Sequence, residues 1–212
     1  MITRTIEKLI QDRLWKQKII IIYGARQVGK TTLSQKILSE CNKKTQYINC
    51  DLYNNQELLD YRQPHRWIEI MRDYDMVVFD EAQRIEQIGI ILKILIDTFP
   101  EKQFIATGSS SFDLANKISE PLTGRNFTFT LFPLSVEEIR SSHDLLFLEW
   151  HRDDLLIYGG YPEIFTAPYG EKQDRLNLLA GDYLYRDIMQ IDGIKKSSTL
   201  KNILQLLAFQ IG

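Results

Sequence analysis

GARQVGKTT, from Gly24 to Thr32, is the stretch on which the reading of the whole chain turns. Ile19-Ile20-Ile21-Ile22-Tyr23 stands before it, and a helical pattern from Leu33 to Leu38 follows. A short β-rich run, a glycine-bounded loop and a new helix, in that order, make a phosphate cradle. Gly24 and Gly29 permit a tight turn that brings backbone N–H groups up to phosphate oxygens. The helix adds the positive end of its dipole at the same place. Lys30 reaches the β- and γ-phosphates as a point charge, and the Thr31 hydroxyl ligates Mg2+. The candidate nucleotide-binding segment is therefore Gly24, Ala25, Arg26, Gln27, Val28, Gly29, Lys30, Thr31 and Thr32. Arg26 either touches phosphate or packs outward.

MVVFDEAQ, Met76 to Gln83, is the second anchor. An apolar strand delivers Asp80 and Glu81 to the sheet edge that carries the phosphate loop. Asp80 is the candidate magnesium ligand, and Glu81 the candidate base that orients and activates an attacking water. The adjacent glutamate points to a sheet in which one more strand lies between the loop strand and the Asp-Glu strand. Gln103 to Thr107 (QFIAT) fits that place, and Gly108-Ser109-Ser110-Ser111 follows it. Ser109 or Ser110 would then sit between the γ-phosphate and Glu81, in reach of either by hydroxyl; equally, these serines suit the cap of a helix before Phe112. Leu122-Thr123-Gly124-Arg125 leads into a fifth strand. Arg125, after a glycine, is placed to reach a phosphate of its own or a neighbouring subunit, or else to be a surface ion-pair partner.

Other signals are missing. Asn42-Lys43-Lys44-Thr45 and Asn116-Lys117-Ile118-Ser119 both lack the aspartate of a guanine-reading Asn-Lys-x-Asp motif. His65, His143 and His151 have no metal-ligand spacing and read as surface or packing residues. Tyr158-Gly159-Gly160-Tyr161-Pro162-Glu163 has no Lys and no helix start after it, and reads as a tight turn with aromatic packing.

The chain has 212 residues, 44% hydrophobic and 25% charged, the composition of an ordinary globular protein. A formal charge of −2 supplies no electrostatic reason to expect nucleic acid as a partner. Cys41 and Cys50 are too few for a disulfide framework. The start carries no signal-peptide core, and the most apolar window, Ile88 to Ile96, is nine residues containing Lys93. The expectation is a cytoplasmic protein with no membrane segment.

Residues 2 to 15 place Ile2, Ile6, Leu9, Ile10 and Leu14 near helical spacing. Gln46 to Cys50 reads as the second strand. Asn54 to Met71 reads as a helix in two pieces broken before Pro64. Met76 to Phe79 is the third strand, Ile85 to Phe99 a helix closed by Pro100, and Asn126 to Phe132 the fifth strand. Alternating strands and helices mean a parallel sheet sandwiched by helices, an α/β three-layer fold. From Ser135 helices take over: Val136 to Arg140, Asp144 to Tyr158, Gln173 to Ile191 and Ser198 to Gln210. The expected division is a core over 1–134 and a helical segment over 135–212. The last helix ends at Gln210-Ile211-Gly212 with no closing element, so the chain reads as part of something longer.

GARQVGKTT, VVFDEAQ, ATGSSS, LTGR, FPLSVEE and YGGYPEIF, in this order, resemble the family of bacterial and archaeal AAA-type ATPases with a C-terminal domain of unknown function. The resemblance implies a P-loop core of the AAA+ type with sheet order 5-1-4-3-2 and ATP as the nucleotide. It implies phosphate contacts from Gly29, Lys30 and Thr31, Mg2+ at Asp80 and catalysis by Glu81. Sensing falls to Ser109 or Ser110, with Arg125 as a finger. Family members continue into a winged helix and a C-terminal domain. Two activities follow as expectations: ATP hydrolysis driving a conformational change, or a slow-turnover switch that presents a further C-terminal region to DNA or protein. Self-association through Arg125 goes with the first.

Overall fold

Four consecutive isoleucines leave a strand no polar face, so the run must be covered on both sides. The computed structural model, which describes residues 2–109, 121–184 and 197–211, shows this arrangement. β1 (Ile19–Gly24) is central, with Ile19, Ile20, Ile21 and Ile22 all at 0% exposure. β2 (Thr45–Asn49), β3 (Met76–Asp80), β4 (Gln103–Ser109) and β5 (Asn126–Thr130) complete a parallel sheet of five strands in the order β2-β3-β4-β1-β5. Read from the other edge this is the expected 5-1-4-3-2, with β4 between the loop strand and the Asp-Glu strand.

Side chains alternate across a strand, so β1 serves two cores. Ile20 and Ile22 meet Ile6 and Ile10 from α1 (Thr5–Gln11) and Leu33 and Ile37 from α2 (Lys30–Ser39). After α3 (Tyr53–Leu58) come α4 (Pro64–Met71) and α5 (Ile88–Thr98), which cover the other face. There Ile19 and Ile21 meet Trp67, Met71, Leu92 and Leu95. Pro64 opens α4, where its missing N–H costs nothing.

Several boundaries differ from expectation: the first helix covers only Thr5–Gln11, the second strand is Thr45–Asn49, the fifth strand ends at Thr130, and two further shifts lie near the sheet edge that carries the phosphate loop. The helix expected from Ile85 begins at Ile88, because a 3-10 turn spans Ala82–Arg84 and Gln87 adopts φ 53°. β4 runs on to Ser109, held by pairing with Gly24 at the end of β1.

Beyond β5 the described residues form α6 (Val136–Ser142), α7 (Leu145–Tyr158), α8 (Pro162–Phe165), α9 (Lys172–Leu178) continuing as a π-helical turn over Leu179–Leu184, and α10 (Ser197–Ile211). The rest of the helix expected up to Ile191 lies outside the described residues. A capping box starts α6: the Ser135 hydroxyl accepts from the Glu138 N–H, and Glu138 Oε2 accepts from the Ser135 N–H. Leu134, Ile139 and Phe165 form a third apolar cluster, and the Leu134 N–H donates to the Gly160 carbonyl at 2.7 Å. No described helix is long and apolar enough to cross a membrane.

Candidate functional site

In a parallel sheet every residue that follows a strand lies at one edge. The loop after β1, Asp80 and Glu81 at the end of β3, and Ser109 at the end of β4 therefore meet. Gly29 takes φ 99°, a conformation costly for a residue with a side chain, and caps α2. Gly24 is needed for a different reason than turning: a Cβ there would stand 2.4 Å from the Leu131 carbonyl oxygen.

Lys30 is 4% exposed, and its ammonium donates to the Gly24 and Ala25 carbonyls at 3.0 Å each. It also stands 3.9 Å from Glu81 Oε1. Asp80, 3% exposed, gathers three hydroxyls: Thr31 Oγ1 donates to Oδ2 at 2.8 Å, Tyr47 Oη donates to the same oxygen at 2.6 Å, and Thr107 Oγ1 donates to Oδ1. Burial first, then the hydrogen bond and charge of Asp80, push the Tyr47 hydroxyl well above its ordinary pKa, so it remains a donor. Glu81 sits at φ 54°, ψ 43°, the left-handed region that a residue with a side chain occupies at a cost of about 1–3 kcal/mol. Its N–H donates to Thr107 Oγ1 at 3.2 Å, and its Oε2 accepts from Gln83 Nε2. Gln83 Nε2 also lies 3.5 Å from Ser109 Oγ, so the glutamine links the base candidate to the serine.

The donor set suits Mg2+. The Thr31 hydroxyl and an Asp80 carboxylate oxygen, 2.8 Å apart, are hard oxygen ligands. Mg2+ prefers such sparse protein ligation completed by water and substrate phosphate.

Above the loop lies a cleft of about 470 Å3. Gln27, Gly29, Lys30, Thr31 and Thr32 form its floor with Glu81, while Ile2, Leu134 and Pro162 supply apolar wall. Arg26 is outside this lining. The segment read from sequence as a plain turn thus contributes: Pro162, at the first position of α8, and Glu163 both face the cleft.

Sequence reasoning passed over Tyr47, Thr107 and Gln83 as site residues. Gln83 stood inside the quoted motif, and Thr107 ended the expected strand. Ser110 lies outside the described residues. Arg125 is not brought to the cleft. Its carbonyl accepts the Ile19 N–H at the opposite end of β1, and its side chain pairs with Asp97 at 2.8 Å. Five residue-to-residue steps along β1, about 16 Å, separate those ends, which corrects the option that Arg125 serves its own subunit.

A family model described as "AAA domain" matches residues 16–140, and one described as a domain of unknown function (DUF8612) matches residues 149–212. An uncharacterized protein of Mycobacterium tuberculosis is 29% identical over 208 residues, covering 96% of this chain and 43% of its own length. An uncharacterized protein of Methanocaldococcus jannaschii is 26% identical over 222 residues, covering 95% and 49%. The chain spans about half the length of the curated relatives it matches. Among solved structures, a Walker-type ATPase of Pyrococcus abyssi superposes with TM-score 0.62 at 17% identity, over 97% of this chain and 76% of that one. AMPPCP-bound DnaA from Aquifex aeolicus superposes with TM-score 0.51 at 18% identity, over 89% and 67%. These likenesses are of fold.

Proposed function

The chain belongs to the AAA domain family, and from that premise we propose that it binds ATP with Mg2+ in the cleft above β1 and hydrolyses it. The observation that carries this reading is the closure of two distant segments on one spot: Thr31 of the phosphate loop donates to Asp80, and Lys30 faces Glu81. The family's fold accounts for a nucleotide site; the glutamate beside the metal-ligand candidate accounts for hydrolysis.

The roles follow from chemistry at each atom. Loop N–H groups and Lys30 hold the phosphates, and Thr31 with Asp80 holds the cation. With Thr31 and Asp80 as its ligands, Mg2+ would supply charge neutralisation at the phosphates. Glu81 accepts the proton of the attacking water. Gln83 fixes one Glu81 oxygen and leaves the other toward Lys30. Ser109, or Ser110 beside it, answers to the presence of the γ-phosphate. The apolar wall of Ile2, Leu134 and Pro162 suits a flat purine ring, and no guanine-reading motif is in the sequence.

Leu134 and α8 join the helical segment over 135–212 to the cleft, so nucleotide turnover moves that segment relative to the core over 1–134. Arg125, at the far sheet edge, reaches a phosphate only of a neighbouring subunit in a self-assembled form. A cytoplasmic setting fits two free cysteines.

Equilibrium titration with Mg·ATP of the parent and Lys30→Ala tests the binding half. Losing charge-assisted phosphate bonds should weaken affinity at least about tenfold. Parental affinity in Lys30→Ala would sink the reading.

A further inference from the structure

Arg4 precedes α1, is 9% exposed, and has no part in the roles above. A buried guanidinium is costly unless its N–H groups are met. Here Nη1 donates at 2.8 Å to the Val28 carbonyl inside the phosphate loop, and Nη2 donates to the Phe132 carbonyl after β5. Nε makes an ion pair with Glu138 Oε1 at 3.1 Å but no aligned hydrogen bond. Glu138, 134 positions away in sequence and also buried, is held in turn: its Oε1 accepts from the Thr5 N–H at 2.9 Å and the Thr5 hydroxyl at 3.1 Å, and its Oε2 from the Ser135 N–H at 3.0 Å. Burial pushes its carboxyl up, but the Ser135 and Thr5 N–H groups and Arg4 outweigh that and hold it below the usual carboxylate range.

The contact with Val28 matters because of peptide geometry. A trans peptide is planar, with its C=O and the following N–H pointing in opposite directions. There is no cis peptide among the described residues. Whatever pins the Val28 oxygen therefore sets the direction of the Gly29 N–H. Gly29, at φ 99°, could otherwise swing that plane at little steric cost.

We propose that Arg4 is a positioning residue of the phosphate loop: its guanidinium, oriented by Glu138, fixes the Val28–Gly29 peptide plane so that the Gly29 N–H faces the β-phosphate of a bound nucleoside di- or triphosphate. The inference rests on the nucleotide-binding reading above. It needs the fork of arginine. Lysine offers one compact charge and cannot hold Val28, Phe132 and Glu138 together.

The test compares the parent with Arg4→Lys, Glu138→Gln and Lys30→Ala by ADP titration calorimetry, thermal unfolding, and ATP turnover across substrate concentration. Losing one well-placed N–H to a phosphate should weaken ADP about tenfold in Arg4→Lys. KM for ATP should rise in parallel while kcat stays within about twofold, because the β-phosphate contact is shared by ground and transition states. Glu138→Gln keeps the capping box but frees the guanidinium, so it should shift ADP affinity in the same direction. If Arg4→Lys does not fold, Glu138→Gln decides alone. ADP affinity unchanged in the folded variants, with Lys30→Ala impaired, overturns the role of Arg4 and leaves the nucleotide reading standing. A fall in kcat that tracks a fall in thermal stability, with KM unmoved, also overturns it. Parental ADP affinity in Lys30→Ala removes the nucleotide reading and this inference with it.

Discussion

Replacing Gly160 by alanine should loosen the helical segment from the core while leaving the sheet intact. A Cβ at Gly160 would lie 2.2 Å from the Leu134 carbonyl oxygen and 3.2 Å from its carbon. Ordinary non-bonded contact lies at about 3.5 Å, so the two backbones must part by roughly 1 Å. That separation breaks the 2.7 Å bond from the Leu134 N–H to the Gly160 carbonyl. The lost hydrogen bond costs about 1 kcal/mol and the overpacking about 1–3 kcal/mol, roughly 2–4 kcal/mol together. The cost falls on Leu134, which packs with Ile139 and Phe165 and walls the cleft beside Pro162. Scanning calorimetry of Gly160→Ala should show a midpoint lowered by on the order of 5 °C or more. Mg·ATP titration should show weakened affinity. Gly170→Ala is the control, since a Cβ there meets nothing within 4 Å. A Gly160→Ala protein that melts and binds like the parent refutes the argument that this contact docks the segment and shapes the cleft.

Tyr47→Phe removes one hydroxyl donor from Asp80 without touching the cleft floor, and should raise the Mg2+ concentration for half-maximal nucleotide binding about tenfold; an unchanged Mg2+ titration contradicts the account. Glu138 has a folded pKa held below its unfolded value, so its stabilisation is full above the unfolded value of about 4.3 and is lost as pH falls through the folded one. Urea midpoints of the parent and Glu138→Gln should accordingly differ at about pH 7 and converge as pH falls below the unfolded value; a difference that persists or grows in acid argues against the assignment. Arg125→Ala should keep the ATP affinity of the parent and abolish any rise of specific activity with protein concentration. A rise that survives this substitution shows that Arg125 is no shared finger.

Much of the architecture is legible in local pattern. The isoleucine run, with no polar alternation, forces a strand covered on both faces. Pro64 marks a helix start through its missing N–H. The Asp80-Glu81 pair places β4 between β1 and β3. The misreadings share a cause, in that they depend on partners distant in sequence. β4 continues to Ser109 because Gly24 offers it a pairing edge. Tyr47 sits on an edge strand whose register with β3, Asn49 against Asp80, brings its hydroxyl to the carboxylate. Gly24 is excluded from carrying a side chain by a carbonyl in the residue after β5. Arg4 and Glu138, far apart in sequence, are brought together and buried only by the fold. The placement of Arg125 was accessible from sequence. A residue that precedes a strand of a parallel sheet lies at the edge opposite to loops that follow strands, and Asn126 opens β5.

The central claim is that Glu81 activates water on a nucleotide held by the loop. It is tested most directly by phosphate release from saturating Mg·ATP with the parent and Glu81→Gln. The glutamine cannot accept the proton, so the account predicts parental nucleotide affinity with turnover reduced at least about a hundredfold. Turnover by Glu81→Gln at the parental rate would contradict it.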